Sequence, residues 1–220
     1  MGNEEALRAK AMSIENYLLF IGAGLILILV PGPDMIYLLS RCIAQGRRAG
    51  VLAALGINAG GYVHLTAAIT GLSAILLTSA LAFTAVKWAG AAYLIYLGVG
   101  ALRSRTGPVS VSTKGLTGQS ARAIFWQGFI SDVLNPKVAI FFLALLPQFV
   151  HAQGDGVVGQ LLLLGITLNV MAILVNLMLV LISTRITERL RRNNGIARWL
   201  QKAMGITFIG LGARLALDKA

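Results

Sequence analysis

Six stretches of the chain run apolar with few charges inside them, at residues 14–42, 51–77, 81–102, 124–150, 157–183 and 197–217. Each crossing of a bilayer takes about 20 apolar residues wound as a helix. A helix satisfies its own backbone polar groups, which lipid cannot do. The pattern therefore predicts an all-α integral membrane protein of about six transmembrane helices. Residues 12–220 form a single transmembrane domain in this reading. Residues 1–11 are an N-terminal extension whose Glu4, Glu5, Arg8 and Lys10 cancel, and Met12 is the expected natural start. The first stretch lacks a small-residue cleavage site and continues through Pro31 into further apolar helix, so it does not read as a signal peptide.

Composition agrees. Of the 220 residues 57% are hydrophobic and only 12% charged, about half of what a soluble domain carries. The net charge of +11 would suit nucleic acid, but the basic residues sit at segment ends, without interleaved aromatics or a soluble module to present them. No nucleic-acid partner is expected. Their distribution reports topology instead, because Lys and Arg accumulate on the cytoplasmic side. Thirteen of the 19 follow the first, third and fifth segments: Arg41, Arg47 and Arg48; Arg103, Arg105, Lys114 and Arg122; and Arg185, Arg189, Arg191, Arg192, Arg198 and Lys202. Residues 78–80 and 151–156 contain none. Three basic loops inside and an even number of spans place both termini outside. Cys42 is the only cysteine and reads as a packing residue.

Two of the predicted helices are interrupted. Pro31-Gly32-Pro33-Asp34 breaks the first and Asn135-Pro136-Lys137 breaks the fourth, since proline removes a backbone donor and clashes with the preceding turn. An internal echo accompanies them: Tyr96-Leu97-Gly98-Val99-Gly100-Ala101 matches Phe208-Ile209-Gly210-Leu211-Gly212-Ala213. Interruptions at corresponding places predict two three-helix repeats, which insert with opposite orientation because three is odd. Paired broken helices in inverted halves mark the midplane site of many transporters. Gly56, Gly60, Gly61, Gly90, Gly98 and Gly100 offer small faces for close helix packing in lipid.

Candidate chemistry gathers at the breaks. Asp34 either caps the half-helix after Pro33 or binds substrate or a proton together with the freed backbone. Asn135 can bond open backbone groups, and Lys137 carries an ammonium at depth. An Asp34–Lys137 pair would relieve both burial costs, and Asp34 is the expected proton carrier. Asp132 lies nearer the cytoplasmic end, where it can sit in water. Asn58, Asn169 and Asn176 suit interhelical hydrogen bonding or substrate contact. His64 is read as a packing histidine, with a proton relay as the alternative. The expected substrate and proton site is thus Pro31, Gly32, Pro33, Asp34, Asn58, Asp132, Asn135, Pro136 and Lys137. No Gly-Lys-Ser/Thr phosphate loop and no His-Glu-x-x-His or His/Cys spacing occurs, so neither an enzyme, a cofactor nor a metal site is expected.

Val30-Pro31-Gly32-Pro33-Asp34-Met35, Gln45-Gly46-Arg47-Arg48-Ala49-Gly50 and Leu134-Asn135-Pro136-Lys137-Val138-Ala139 together resemble the motifs of the lysine exporter superfamily, closest to its RhtB-type homoserine, threonine and leucine exporters. The resemblance covers residues 12–217. It implies a multi-pass protein of the bacterial inner membrane that exports amino acids or their derivatives by proton exchange. Its partners are then the lipid bilayer, an amino-acid substrate and protons, and a homo-oligomer is compatible with it. Two alternatives stand beside this reading. A metal or inorganic-ion exporter of related fold would want more carboxylate, Cys or His at depth. A membrane assembly factor or channel would not need oppositely charged helix breaks.

Overall fold

The computed structural model describes residues 14–29, 32–72, 80–103, 118–150, 156–192 and, from the last segment, 202, 205–206, 208–210, 212–213, 216 and 217. Residues 1–11, Pro31 and the loop positions Thr113 and Gly154 lie outside them. The described residues are helical apart from turns and breaks, with no strand among them. The helices are α1 (Ile14–Leu29), α2 (Pro33–Gln45), α3 (Arg47–Ala67), α4 (Ala80–Arg103), α5 (Ala121–Val133), α6 (Pro136–Ile140) and α7 (Val157–Arg192). A π-helical turn, Ala68–Leu72, extends α3; a second, Phe141–Leu145, and a 3-10 turn, Leu146–Phe149, extend α6.

Among the described residues two spans are long and apolar enough to cross a membrane unaided, Arg47–Gly71 and Val157–Ser183. Two more arise if each bent pair counts as one: α1 with α2, bent by 53°, and Ala121–Val133 with Pro136–Phe149, bent by 46°. The helix of α7 shows what faces lipid. Leu162, Ile166, Val170, Leu174, Met178 and Leu181 are all at least 40% exposed and recur every three or four residues. At 1.5 Å per residue this stripe is about 28 Å long, the thickness of a hydrocarbon core.

The bends have local causes. Gly32 is the extended N-cap of α2 (φ −128°, ψ −175°), with Pro33 at its first helical position. Asn135 caps α6, with Pro136 next, and its side chain accepts from the Lys137 amide. Proline suits the first turn because its missing donor is one the helix could not have used. Both prolines are exposed, so they shape the backbone and do not line the interior. Gly46 joins α2 to α3 at φ 82°, a conformation that disfavours a side chain.

Packing relies on missing side chains. A Cβ on Gly56 would run into the Phe125 carbonyl, and one on Gly128 would lie 2.8 Å from the Ala53 carbonyl. Helices α3 and α5 therefore touch backbone to backbone. One core cluster joins α1, α3, α4, α6 and α7, with Phe20 edge-on to Phe149 at 5.3 Å. A second holds Leu38, Leu39, Ile57 and Val180 together with the buried Cys42.

One charge is not where the loop reading puts it. Arg41 belongs to α2 and is wholly buried. Its guanidinium donates to Gln45 at 2.8 Å, to Gln119 at 2.6 Å, to Gln127 and to the Tyr37 hydroxyl. Tyr37 in turn donates to the Ile124 carbonyl at 2.6 Å. The guanidinium ties α2 to α5 and to Gln119, two residues ahead of it.

Candidate functional site

The two helix breaks meet. Asn135 Nδ2 donates to Asp34 Oδ2, while Asn135 Oδ1 accepts from the Lys137 amide at 3.0 Å. Ser131 Oγ donates to Asp34 Oδ1 at 3.3 Å. Lys137 crosses in the other direction. Its Nζ donates to the Leu27 carbonyl at 3.3 Å, near the end of α1. A Cβ on Gly32 would lie 3.2 Å from that Nζ, so the bare backbone of Gly32 makes room for the ammonium. Asp34 thus clasps the other break, and its carboxylate does not serve as the N-cap of its own helix; Gly32 holds that position.

Beside this clasp lies a cavity of about 60 Å³. Asp34, Asn58, Asp132, Lys137, Asn169 and Asn176 are its polar lining, against Leu27, Phe142 and Leu168. Lys137 and Asp34 lie close enough to attract one another. Of the expected site residues, Asp34, Asn58, Asp132 and Lys137 reach the cavity. Gly32 and Asn135 hold the clasp, and Pro33 and Pro136 face outward.

Asp132 does not sit in water. It is 4% exposed, and its Oδ2 accepts no hydrogen bond. His64 Nε2 stands 4.0 Å from that oxygen. That nitrogen bonds the Asp132 backbone carbonyl at 2.9 Å, and the ring stacks on Phe142 with centroids 6.0 Å apart. His64 is therefore a packed, bonded side chain. Asn169 donates to the Gly165 carbonyl of its own helix at 3.1 Å rather than to another helix. Among the described residues no three His, Cys, Asp or Glu side chains are arranged to hold a metal ion.

One contributor to the site, Ser131, is not among the residues expected from the sequence. Ser131 stands four residues before Asn135, one turn ahead of the break, and that spacing is its available signal. Tyr37, Arg41 and Gln45 likewise recur every four residues, which marks a polar stripe within α2.

A charged, interrupted pair of helices inside a lipid-facing bundle is transporter architecture, and comparison with known proteins decides which kind. A family profile described as LysE type translocator matches residues 25–219. The chain belongs to this family. It is a membrane translocator and not an enzyme, its surroundings are lipid, and its cargo is a small molecule. It is 30% identical over 207 residues to a leucine efflux protein of Klebsiella pneumoniae, covering 91% of this chain and 94% of that one. An uncharacterized membrane protein of Vibrio cholerae is 31% identical, with 95% of this chain and all of that one covered. The uncharacterized membrane protein YrhP of Bacillus subtilis is 29% identical, with 93% and 100% covered. No solved structure matches the chain.

Proposed function

We propose that this LysE-type translocator exports an amino acid or amino-acid derivative of the threonine, homoserine or leucine kind across the bacterial inner membrane, in exchange for protons. The observation that carries the reading is the cavity. It presents carboxylates and an ammonium together, at the meeting of two helix breaks. A zwitterion needs both signs within a few ångströms. The relative named for leucine efflux supports the same substrate class. Exchange for protons is supported by two buried carboxylates, Asp34 and Asp132, on the cavity wall, since ionisable groups at membrane depth are costly and serve function by default.

Six spans in two inverted three-helix repeats, with α1–α2 and α5–α6 as the corresponding interrupted helices, fit this mechanism. The likeness of the breaks supports the repeat: each has proline at the first helical position and a bend near 50°. The glycine echo lends less. Gly98 and Gly212 lie in close helix contacts, whereas Gly100 and Gly210 have nothing within 4 Å of a Cβ.

Uptake of a labelled amino-acid panel into inverted vesicles tests the function. At least one amino acid should enter, several-fold faster when the vesicle interior is acid. Failure of every amino acid to enter refutes export. Uptake indifferent to the gradient removes proton exchange and leaves export standing.

A further inference from the structure

We infer that Asn58 and Asp132 together seat the ammonium group of the substrate, and that Asp34 is a positioning residue that does not touch it. The inference rests on the amino-acid export reading and assigns the two ends of the substrate within the cavity.

Buried acceptors without a donor are rare, because water is surrendered and nothing replaces it. Among the described residues two side-chain atoms are in this state, Asn58 Oδ1 and Asp132 Oδ2. Both residues line the same cavity, from the facing helices α3 and α5. Both atoms are oxygens, so both lack the same thing, a donor. The Nε2 of His64 is 4.0 Å from Asp132 Oδ2 and already bonds the Asp132 backbone carbonyl. An ammonium group carries three donors and a full charge, and it can satisfy a carboxylate and an amide oxygen at once.

Asp34 differs. Each of its oxygens already accepts a hydrogen bond, one from Ser131 and one from Asn135. An ammonium at Asp34 would share that carboxylate with the clasp's two donors, whereas Asn58 Oδ1 and Asp132 Oδ2 have no donor to share with. Charge then orders the cavity. The charged or titratable groups facing Asp132 are His64 from α3, Asp34 from α2 and Lys137 from α6, while α7 offers only the neutral Asn169 and Asn176. Lys137 repels the ammonium and attracts the carboxylate. The substrate therefore lies with its amine on the α3–α5 wall and its carboxylate toward α6.

Binding to the purified protein in lipid nanodiscs tests this with three probes: leucine, isopentylamine, which lacks the carboxylate, and 4-methylpentanoate, which lacks the amine. The corresponding trio replaces them if the vesicle assay selects another amino acid. Asn58→Ala and Asp132→Asn should each weaken leucine and the amine about 10–100-fold, the scale of a lost charge-assisted bond. Both should hold the acid within about twofold. Because Asp132 Oδ2 accepts no hydrogen bond from the protein, Asp132→Asn should keep or raise the melting temperature measured without added ligand, which separates lost binding from lost folding. Variants that lose amine and acid alike, or that keep their amine affinity, overturn the inference while wild-type export stands. A wild-type protein that exports no amino acid overturns the proposed function, and this inference with it.

Discussion

Replacing Asn135 probes the contact that holds the two breaks together. The side chain is 1% exposed and does two things, capping α6 through the Lys137 amide and donating to the Asp34 carboxylate. Asn135→Ala removes both. A lost N-cap costs about 0.5–2 kcal/mol, and a lost hydrogen bond to a charged group about 1.5–3 kcal/mol. The expected loss is thus about 2–5 kcal/mol, or a thermal midpoint lower by about 4–20 °C for a chain of this size. Asn135→Asp separates the two effects. Aspartate caps a helix as well as asparagine does, but it sets a second carboxylate against Asp34 in place of a donor. Two such charges about 4 Å apart repel by about 4 kcal/mol at an effective dielectric of 20. Acid supplies a proton the facing carboxyls can share, so this variant should gain stability as the pH falls from 8 to 5, more than wild type does. Tryptophan fluorescence during thermal unfolding in detergent at the two pH values measures both variants. An alanine variant within 1 kcal/mol of wild type, or an aspartate variant indifferent to pH, would refute the clasp.

Gly56→Ala should destabilise by about 1–3 kcal/mol, the range for overpacking, because the new Cβ meets Phe125 and Phe129 backbone that cannot swing aside. Gly100→Ala, with open space around it, should be neutral or stabilise by up to about 1 kcal/mol; equal midpoints for the two variants would contradict the backbone contact. Arg41→Met should cost roughly 3 kcal/mol or more by leaving the Gln45, Gln119 and Gln127 oxygens without their donor. The same melting assay reads it, and a loss under 1 kcal/mol would show that the guanidinium is dispensable. Cysteines at Thr113 and Gly154, in a Cys42→Ser background, test orientation: an impermeant thiol reagent applied to intact cells should label only position 154, and labelling at 113 would reverse the topology.

How far the sequence carried depends on the range of each interaction. The apolar helices Arg47–Gly71 and Val157–Ser183 and both breaks were legible because hydropathy, proline and the Asn-Pro cap act within a few residues. Arg41 was misplaced because counting cationic residues at segment ends reports which side of the membrane a segment end faces, not where one side chain points. Its partners Gln119 and Gln127 stand 78 and 86 residues away. Asp34 and Lys137 were expected as partners because the proposed repeat sets the two breaks opposite one another and their charges are opposite. Geometry added a neutral intermediary, since Asn135 takes one oxygen of Asp34 and caps the helix that carries Lys137. No local pattern shows which of two buried carboxylates has its oxygens occupied. That difference, between Asp34 and Asp132, is fixed only when α2 and α5 come together.

The small residues bear on this directly. Glycines along a membrane helix are usually understood as packing surface, allowing backbones to approach. Gly60 does more. A Cβ there would lie 2.7 Å from Asp132 Cβ and 2.8 Å from its Oδ2, so the carboxylate occupies the space a side chain would fill. Gly56 and Gly128 keep α3 and α5 close enough for that oxygen to be buried. Three and two residues before Gly60 on the same helix, Ile57 and Asn58 line the cavity that Asp132 also lines. The close approach therefore buries Asp132 Oδ2 without providing it a donor. An acceptor in that state gains most from a cation that arrives and departs, which is what an exporter requires of the groups that hold its cargo.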